Sequence, residues 1–355
     1  MQPRPLIRRP RRAIAVTATL GLVLAACGAS GTPSQSADAP ASAAVSAAPS
    51  ASVPAQPPAT SFTFDSAEPV VSRELTGVDE AFINPGAIVE HEGRFHMFAN
   101  LFTGFPGASQ VSHLTSPDGV TWTLAQPEPV LNTQGIDFAP TGAHVSTGFV
   151  TEDGTWVLVL ESLTSLEPWR LGRATAPAPE GPWTVDPQPI LEPGGEGSLD
   201  AGGLSWPTVI GTDEGYAMYY TAKQEPTGPG VIAMATSTDG SSWTKSEEPV
   251  LEAEAEWEDG SLDRPRVART PDGLVMVYSG ADLTDRGVAT SSDGVAWQRD
   301  GNLPVITQDD FPVDGRCWDA SLLYRDGTLH YILEIGSGSA SGGGTQLYLA
   351  SAELP

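Results

Sequence analysis

The sequence predicts an all-β fold, a five-bladed β-propeller of four-stranded antiparallel blades, and three observations support this prediction. A Ser-x-Asp-Gly-x-x-Trp pattern recurs along the chain, a Pro-Val-Leu-like segment follows each copy, and short alternating apolar runs lie between Gly-containing turns. Alternation with a period of two is typical of half-buried strands. The repeat returns after about 47 to 61 residues, which is the length of a four-stranded propeller blade.

The hairpin motif is the clearest repeat, because Asp-Gly supplies the positive φ that a tight turn requires. Its copies are Thr115–Trp122, Ser237–Trp243 and Ser291–Trp297, with a degenerate copy at Ala178–Trp183. We expect the Asp residues of this motif to form turns rather than to do chemistry; they are Asp118, Asp239 and Asp293. We expect the Trp residues to pack between blades; they are Trp122, Trp183, Trp243 and Trp297.

The fourth repeat shows how strands are assigned within a unit. Arg266–Arg269 and Leu274–Tyr278 are predicted to form the first two strands, and Pro271–Gly273 the turn between them. Gly287–Thr290 is the predicted third strand, and Trp297 opens the fourth.

The last repeat lacks its fourth strand. It begins near Val313 and ends after Gln346–Ala350. The segment Ser61–Asp65, followed by Pro69-Val70-Val71, has the pattern of the missing strand. We therefore expect the N-terminal strand to complete the last blade and close the ring, which would remove exposed sheet edges.

Residues 1–26 have the pattern of a lipoprotein signal peptide, with arginines in the first 12 residues followed by an uncharged run over residues 13–26. That run is shorter than the roughly 20 residues that span a bilayer. It ends in Leu24-Ala25-Ala26-Cys27, which resembles a bacterial lipobox and implies cleavage before Cys27 and lipid attachment to its thiol. We expect residues 27–60, rich in Ala, Ser and Pro, to be a flexible tether, and residues 61–355 to be the propeller. The predicted location is the outer face of the bacterial cell membrane.

Acidic residues outnumber basic ones by 44 to 18, and the formal net charge at pH 7 is −26. Such a surface disfavours nucleic acid and anionic lipid, so we expect the lipid anchor to be the only contact with a membrane. We also expect a monomer. Cys317 is the only cysteine besides Cys27, so stability must come from core packing rather than from an internal disulfide.

The repeats resemble the five-bladed propeller superfamily of glycoside hydrolases, which includes the arabinanase, invertase and levansucrase families. The resemblance covers residues 61–355 and depends on the hairpins, the Pro-Val-Leu segments and the strand endings Met218–Tyr220 and Met276–Gly280. It implies a carbohydrate ligand. Sialidases are a weaker alternative, because their Asp-boxes have one more residue between Asp and Gly, and their rings have six blades.

In a propeller blade the first strand starts, and the second strand ends, at the same mouth of the central tunnel. The acids expected at this mouth as catalytic candidates are Asp79, Asp200, Asp263, Glu161 and Glu334. The substrate-binding candidates are Asn84, Asp137, Trp206, Arg264, Arg266, Trp318 and Asp319. Glycosidic cleavage usually needs two carboxyl groups across the scissile bond, and a Trp can stack on a sugar ring. Glu161 and Glu334 are of special interest because the equivalent positions of the other blades carry no acid. An Asp found in every blade can have a purely structural role, as a hydrogen-bond acceptor for the backbone of the neighbouring blade.

The sequence departs from the pattern of this superfamily at the first blade. Those enzymes typically carry an Asp beside Pro there, whereas this chain has Asn84-Pro85, and Asn cannot act as a general base at neutral pH. Either the acids have moved, to positions such as Asp79 and Asp200, or the propeller binds without cleaving. The hypotheses are therefore a glycoside hydrolase-like enzyme acting on extracellular oligo- or polysaccharide, and a non-catalytic carbohydrate-binding lipoprotein.

The sequence predicts no required cofactor. The five histidines lack metal-ligand spacing. His144, in the first strand of the second blade, could face the tunnel, but the favoured interpretation is a satisfied core residue. Some relatives hold calcium in the tunnel, and an acidic mouth would suit a Ca²⁺ ion.

Overall fold

The chain folds into a ring of antiparallel sheets, seen in a computed structural model that describes residues 56–78, 82–163, 168–336 and 344–354. The strands in these ranges are β1 (Thr63–Phe64), β2 (Phe82–His91), β3 (Arg94–Phe102), β4 (Gln110–Ser116), β5 (Thr123–Leu124), β6 (Leu131–Asn132), β7 (Ala143–Val150), β8 (Trp156–Ser162), β9 (Leu171–Ala176), β10 (Thr184–Val185), β11 (Gly203–Thr212), β12 (Gly215–Lys223), β13 (Gly230–Ser237), β14 (Thr244–Lys245), β15 (Asp263–Thr270), β16 (Gly273–Ser279), β17 (Arg286–Ser291), β18 (Gln298–Arg299), β19 (Arg316–Arg325), β20 (Thr328–Gly336) and β21 (Thr345–Glu353).

The described strands form five blades in sequence order. Blade 1 is β2-β3-β4-β5 with β6 added to β4, blade 2 is β7 to β10, blade 3 is β11 to β14, and blade 4 is β15 to β18. Blade 5 has the order β19-β20-β21-β1. The first strands contact each other around the ring, β2 with β7, β7 with β11, β11 with β15, β15 with β19, and β19 with β2 again. The prediction of a five-bladed propeller is confirmed.

The N-terminal strand completes blade 5, as predicted. In the antiparallel pair of β1 with β21, Thr63 lies opposite Ser351 and Phe64 opposite Ala350. Val71 then forms a bridge with Leu347, which is the contact that the Pro-Val-Leu segments make in the other blades. The ring is therefore closed by hydrogen bonds between the two ends of the propeller sequence.

Apolar side chains fill the spaces between adjacent blades. Each of the five clusters found in the described residues combines neighbours in the ring; for example, Phe98 of blade 1 packs with Leu158 of blade 2, and Tyr219 of blade 3 with Met276 of blade 4. Trp122 is buried in one cluster, and the Trp residues of the other three hairpins each pack against one of three further clusters. The expectation that these Trp residues pack between blades is confirmed.

The Asp-Gly hairpins are structural turns. The Asp118 carboxylate accepts hydrogen bonds from the Val120 and Thr121 amides at 2.9 and 2.7 Å, and Gly119 has φ +79°. Asp239 and Asp293 make the same contacts in blades 3 and 4. These hydrogen bonds outweigh desolvation and lower the pKa of Asp118 to about 2, so its carboxylate is fully occupied in holding the turn.

The helices of the described residues are short. They are α1 (Arg73–Thr76), capped by Ser72, and two 3₁₀ turns, Glu256–Glu258 and Gln308–Asp310. No helix in this part of the chain is long and apolar enough to cross a membrane. The predicted signal peptide, Cys27 and nearly all of the predicted tether lie outside the described residues.

Candidate active site

Every first strand has a β-bulge near its beginning. The pairing with the second strand shifts between Asn84 and Ala87, Val145 and Thr147, Ser205 and Thr208, Asp263 and Arg266, and Cys317 and Asp319. The bulges of blades 1, 3 and 4 contain Pro85, Pro207 and Pro265. Proline has no N–H for the ladder, so a bulge accommodates it without leaving a partner carbonyl unpaired.

The bulges direct side chains into a central cavity. Trp206, Arg264 and Trp318 are the bulged residues of blades 3, 4 and 5, and all three line it. Trp206 and Arg264 have φ of +48° and +53°, a conformation that costs a non-Gly residue about 1–3 kcal/mol and that is enriched at functional sites. The Trp206 amide donates to Glu161 Oε2 at 2.8 Å, and the Arg264 amide to Thr221 Oγ1 at 3.0 Å, which helps to hold both bulges in place.

The cavity has a volume of about 590 Å³, within the usual range for small-ligand sites. It has an acidic cluster and an aromatic wall. The polar lining residues are Asn84, Thr103, His144, Glu161, Arg264, Asp319 and Glu334, and the aromatic ones are Phe82, Phe102, Phe105, Trp169, Trp206 and Trp318.

Asp319 is the ionised member of the acidic cluster. Arg266 Nη2 lies 2.6 Å from Asp319 Oδ1, and the Ala320 amide donates to the same oxygen at 2.7 Å. Burial favours the protonated form, but the charges of Arg266 and Arg264 oppose it. They hold the pKa of Asp319 below its usual range, and hydrogen bonds add to the effect.

Glu161 and Glu334 are buried acids with raised pKa values. Burial, followed by the negative charge of Asp319, raises the pKa of Glu161 to about 7 and that of Glu334 to about 8. Asp319 and Glu334 are direct cross-strand neighbours, and such pairs have Cβ atoms about 4.5–5.5 Å apart. Glu161 belongs to β8 of blade 2, which is not adjacent to blade 5 in the ring.

Asn84 joins two of these acids. Its Nδ2 donates to Asp319 Oδ2 at 2.8 Å and to Glu334 Oε2 at 3.2 Å, while its Oδ1 accepts from the Gly86 amide and from Asn100 Nδ2. Gly86 is required here, because a Cβ at this position would lie 2.1 Å from the Phe98 carbonyl oxygen. An amide at position 84 therefore supplies a donor that a carboxylate could not.

His144 is a lining residue rather than a satisfied core residue. It is 3% exposed, lies opposite Glu161 in the β7–β8 pair, and its Nε2 has no hydrogen-bond partner among the described residues. Burial lowers its pKa to about 3, so the imidazole is neutral at physiological pH. A neutral imidazole facing the cavity can exchange a hydrogen bond with a ligand hydroxyl.

The structure brings together most of the predicted site residues. Those that line the cavity are Asn84, Glu161, Trp206, Arg264, Trp318, Asp319 and Glu334. Arg266 lies behind Asp319 as its ion-pair partner. Asp79 lies outside the described residues.

Asp200 is not in the cavity, contrary to the expectation that it joins the acids at the mouth. Its carboxylate forms an ion pair with Lys245 and accepts from the Gly194 amide at 2.9 Å and from Tyr220 at 3.5 Å. One blade later, Glu258 bonds Tyr278 at 2.7 Å and Arg299 at 2.8 Å. An acid, a tyrosine and a base thus recur in two blades, which indicates a structural repeat.

Asp263 and Asp137 also lie outside the cavity lining. Asp263 Oδ2 is 3.2 Å from Lys223 Nζ, and the adjacent Arg264 takes the position that faces the cavity. Asp137 is exposed in the turn that follows β6. Sequence reasoning placed these acids by their position before a strand, but the bulge decides which neighbour faces inward.

Phe82, Phe102, Phe105, Trp169 and Leu283 are lining residues that sequence reasoning missed. Phe82 and Phe102 are cross-strand partners with ring centroids 5.3 Å apart. Each is two residues from an Asn of the cluster, Asn84 or Asn100, so period-two alternation along β2 and β3 places it on the same face. That alternation was a signal that could have identified both.

A calcium ion does not fit these residues. In the described ranges no group of three or more His, Cys, Asp or Glu side chains is arranged to hold a metal. Ca²⁺ needs several ionised or carbonyl oxygens, whereas Asp319 is paired with Arg266 and burial favours the protonated forms of the two glutamates. The mechanism proposed below therefore involves no metal.

Comparison with known proteins shows which proteins share this fold. A family model described as beta-1,4-mannooligosaccharide phosphorylase matches residues 206–323, a span that includes Trp206, Arg264 and Asp319. The chain has the fold of the five-bladed propeller glycoside hydrolases. The predicted resemblance is confirmed at this level. A search of curated proteins found no match.

Solved structures with this fold come from several carbohydrate-active families. A structure described as a glycoside hydrolase has a TM-score of 0.61 at 13% identity, covering 83% of this chain and 91% of that one. A family 130 enzyme, whose description names β-1,2 mannosidic linkages in Candida mannan, has a TM-score of 0.56 at 17% identity, with 83% and 96% covered. A family 117 glycoside hydrolase from Zobellia galactanivorans has a TM-score of 0.59 at 13% identity, with 83% and 90% covered. At these identities the likeness concerns the fold alone.

Proposed function

We propose that this protein cleaves a glycosidic bond in an oligo- or polysaccharide, with Glu334 as general acid and Glu161 as general base. The observation that carries the proposal is that Asp319 is held ionised within one cavity that also contains two buried glutamates of raised pKa. Glycosidases need one carboxyl group that holds a proton and one that accepts it, on opposite sides of the bond.

The roles follow from position and proton affinity. Glu334 is the direct neighbour of Asp319 and has the higher pKa, about 8, so it keeps its proton near neutral pH. Glu161, with a pKa of about 7, ionises first and belongs to a non-adjacent blade. A sugar bound over the tunnel axis would thus have the acid on one side and the base on the other.

The reaction balances with water as nucleophile. Glu334 gives its proton to the glycosidic oxygen as the bond from that oxygen to the anomeric carbon breaks. Glu161 accepts a proton from the water whose oxygen bonds to that carbon. Asp319 keeps its charge throughout and, through Asn84, fixes the orientation of Glu334. Trp206 and Trp318 offer flat apolar faces on which sugar rings can stack.

Hydrolysis of a glycan panel by the full chain tests this proposal. We expect Glu334→Gln and Glu161→Gln each to lower kcat by about 10²- to 10⁴-fold, the usual contribution of a general acid or base. Azide should partly rescue Glu161→Gln, because it replaces the activated water, and should not rescue Glu334→Gln. The control is Glu90→Gln, an exposed acid on β2. Glycan binding without cleavage would contradict the enzyme and favour a carbohydrate-binding propeller.

Phosphorolysis is the second candidate, favoured by the description of the matched family model. Phosphate would then replace water at the anomeric carbon, and the products would include a sugar 1-phosphate. Product analysis with and without inorganic phosphate separates the two reactions. We favour hydrolysis because an ionised Glu161 would repel an incoming phosphate.

We also propose that the protein is exported and anchored to the outer face of the membrane through a lipid on Cys27. The support is the arginine-rich start, the short apolar run and the lipobox-like Leu24–Cys27. Labelled palmitate should be incorporated into the wild type and not into Cys27→Ser, which should leave the membrane fraction. Membrane retention of Cys27→Ser would contradict the anchor.

A further inference from the structure

We propose that Arg264 binds the carboxylate of an acidic sugar, so that the ligand of the cavity contains a uronic acid residue. The proposal deepens the proposed function, because it specifies the class of glycan that the same cavity accepts.

Arg264 is a buried cation with unused donors. It is 7% exposed and lines the cavity, and its Nε and Nη1 have no hydrogen-bond partner among the described residues. No acidic side chain in these residues lies within ion-pair distance of it. The charge of Asp319 acts on Arg264 from a distance, but it does not satisfy these donors. Buried donors without hydrogen bonds are costly, so an anionic group entering the cavity would be stabilised by pairing with them.

The other buried arginines lack this property. Arg266 donates to Asp319 and to backbone carbonyls of Ala320, Trp206 and Pro207. Arg286 donates to Tyr331, to Cys317 and to three carbonyls of its own loop. Both are satisfied by the protein. Arg264 alone among these three faces the cavity with donors left over.

The fold holds Arg264 in place before a ligand arrives. Its backbone has φ +53° in the bulge of β15, and its amide is bonded to Thr221. Its guanidinium carbon lies 4.1 Å above the ring of Trp206, measured to the ring centroid, so a cation–π contact helps to hold the side chain. A preorganised side chain loses little conformational entropy on binding.

A carboxylate is the anion that best matches this setting. Arginine's planar fork binds carboxylates by parallel charge-assisted hydrogen bonds. Trp206 and Trp318 are bulged residues of the blades on either side of Arg264, blades 3 and 5, and both line the cavity. A sugar ring stacked on either indole would bring a carboxylate attached to that ring toward Arg264. The overall charge of −26 opposes anions at long range, but salt screens it beyond about 8 Å, whereas Arg264 acts at contact.

Calorimetric binding to matched glycans tests the proposal. The probes are oligogalacturonates, oligomannuronates and glucuronate-terminated disaccharides, each beside its carboxyl-reduced counterpart, with inorganic phosphate as a separate probe. The full chain carries Glu161→Gln in all titrations to prevent turnover. We expect at least one acidic glycan to bind 10-fold or more tightly than its reduced form. Arg264→Gln should abolish that preference, and Arg264→Lys should retain only part of it because lysine lacks the fork.

Arg269→Gln is the matched control, since it removes the same charge from an exposed position of the same strand. Thermal unfolding shows whether each variant is folded, and the Lys variant remains informative if the Gln variant is not. Equal binding of acidic and reduced glycans overturns the proposal, as does Arg264-dependent binding of phosphate alone. Cleavage of neutral glycans without any charge preference would overturn this inference and leave the proposed function standing. Arg264-dependent uronate binding without cleavage by the wild type would support this inference and overturn the proposed function.

Discussion

Asn84 illustrates how a residue that cannot act as a base can still organise an acidic site. One amide nitrogen donates to both Asp319 and Glu334, where a carboxylate would repel Asp319 and offer a donor to neither. Its departure from the superfamily pattern is accompanied by a different origin of the acids, which come from blades 2 and 5. This arrangement supports the alternative in which the acids have moved rather than the one in which activity is lost. Asp200 is not one of the moved acids, because it lies outside the cavity, and Asp79 lies outside the described residues.

Replacing Asn84 by Asp should inactivate the site. The substitution removes the donor shared by two acids and adds a fourth carboxyl group to the cluster. We expect kcat to fall at least 100-fold and the free energy of unfolding to fall by about 1–3 kcal/mol, the usual cost of an unsatisfied buried group. Kinetics and denaturant unfolding measure both quantities. A gain of activity in Asn84→Asp would contradict the role given to the amide.

The pH dependence of stability should also reflect the two glutamates. Their folded pKa values, about 7 and about 8, lie above the ordinary value of 4.5. The stability that they contribute by binding protons in the fold is therefore complete below about pH 4.5 and is lost as pH rises to about 8. We expect Glu161→Gln or Glu334→Gln to flatten this decline in a urea-unfolding series from pH 5 to 8. His144 acts in the opposite sense, because its lowered pKa removes stability as pH falls below about 6.5.

At the scale of the blade, the same buried cluster of side chains recurs in two neighbouring blades. Blades 3 and 4 place an acid, a tyrosine and a base together, as Asp200–Tyr220–Lys245 and Glu258–Tyr278–Arg299. The tyrosines share this environment, since burial and the neighbouring acid raise both pKa values. These clusters tie the second strand of a blade to its fourth.

Asp200→Asn should consequently affect stability and not chemistry. The change breaks a mostly buried ion pair, and we expect the free energy of unfolding to fall by about 3 kcal/mol. Glu258→Gln should have a comparable effect in blade 4. Thermal unfolding gives the loss, and kcat measured well below the unfolding temperature should stay within about 2-fold of the wild type. A large drop in kcat with unchanged stability would return Asp200 to the list of catalytic candidates.

The sequence predicted blade elements well where the signal was local. Asp118 and Gly119 form a turn through contacts within a few residues, so the hairpins could be predicted from the local sequence alone. Glu161 and Glu334 were found because they break a repeat. Asp200, Asp263 and Asp137 were misplaced because their partners, such as Lys245 and Lys223, are distant in sequence. The orientation of a residue next to a bulge depends on φ angles that no sequence period encodes.

At the scale of the whole molecule, stability depends on closure of the ring. Phe62 and Phe64 of the N-terminal segment pack against the cluster between blades 4 and 5, and the amides of Ala59 and Thr60 bond the Asp300 carboxylate at 2.8 and 2.7 Å. The prediction of this closure from Ser61–Asp65 succeeded because the missing strand and the orphan strand were both visible in the sequence. The central cavity could not be predicted in the same way, because it is assembled from residues of all five blades.

A chain that begins at residue 67 should lose this closure, whereas one that begins at residue 56 should keep it. We expect the shorter chain to unfold at lower denaturant concentration and to aggregate, because the edge of β21 is left unpaired. Urea unfolding and light scattering compare the two. Equal stability of the two chains would show that β1 contributes nothing to the ring.

The bulge in each first strand also affects how the ligand preference of such a cavity can evolve. A bulged residue stands outside the ladder of hydrogen bonds, so its side chain can be exchanged with little effect on strand pairing. Trp206, Arg264 and Trp318 show two kinds of side chain, an indole and a guanidinium, at such bulged positions. Ligand preference can therefore be rewritten one blade at a time, by single substitutions at these positions, while the packing between blades stays as it is. Libraries randomised at these bulges are accordingly the shortest route to a propeller with a new sugar specificity.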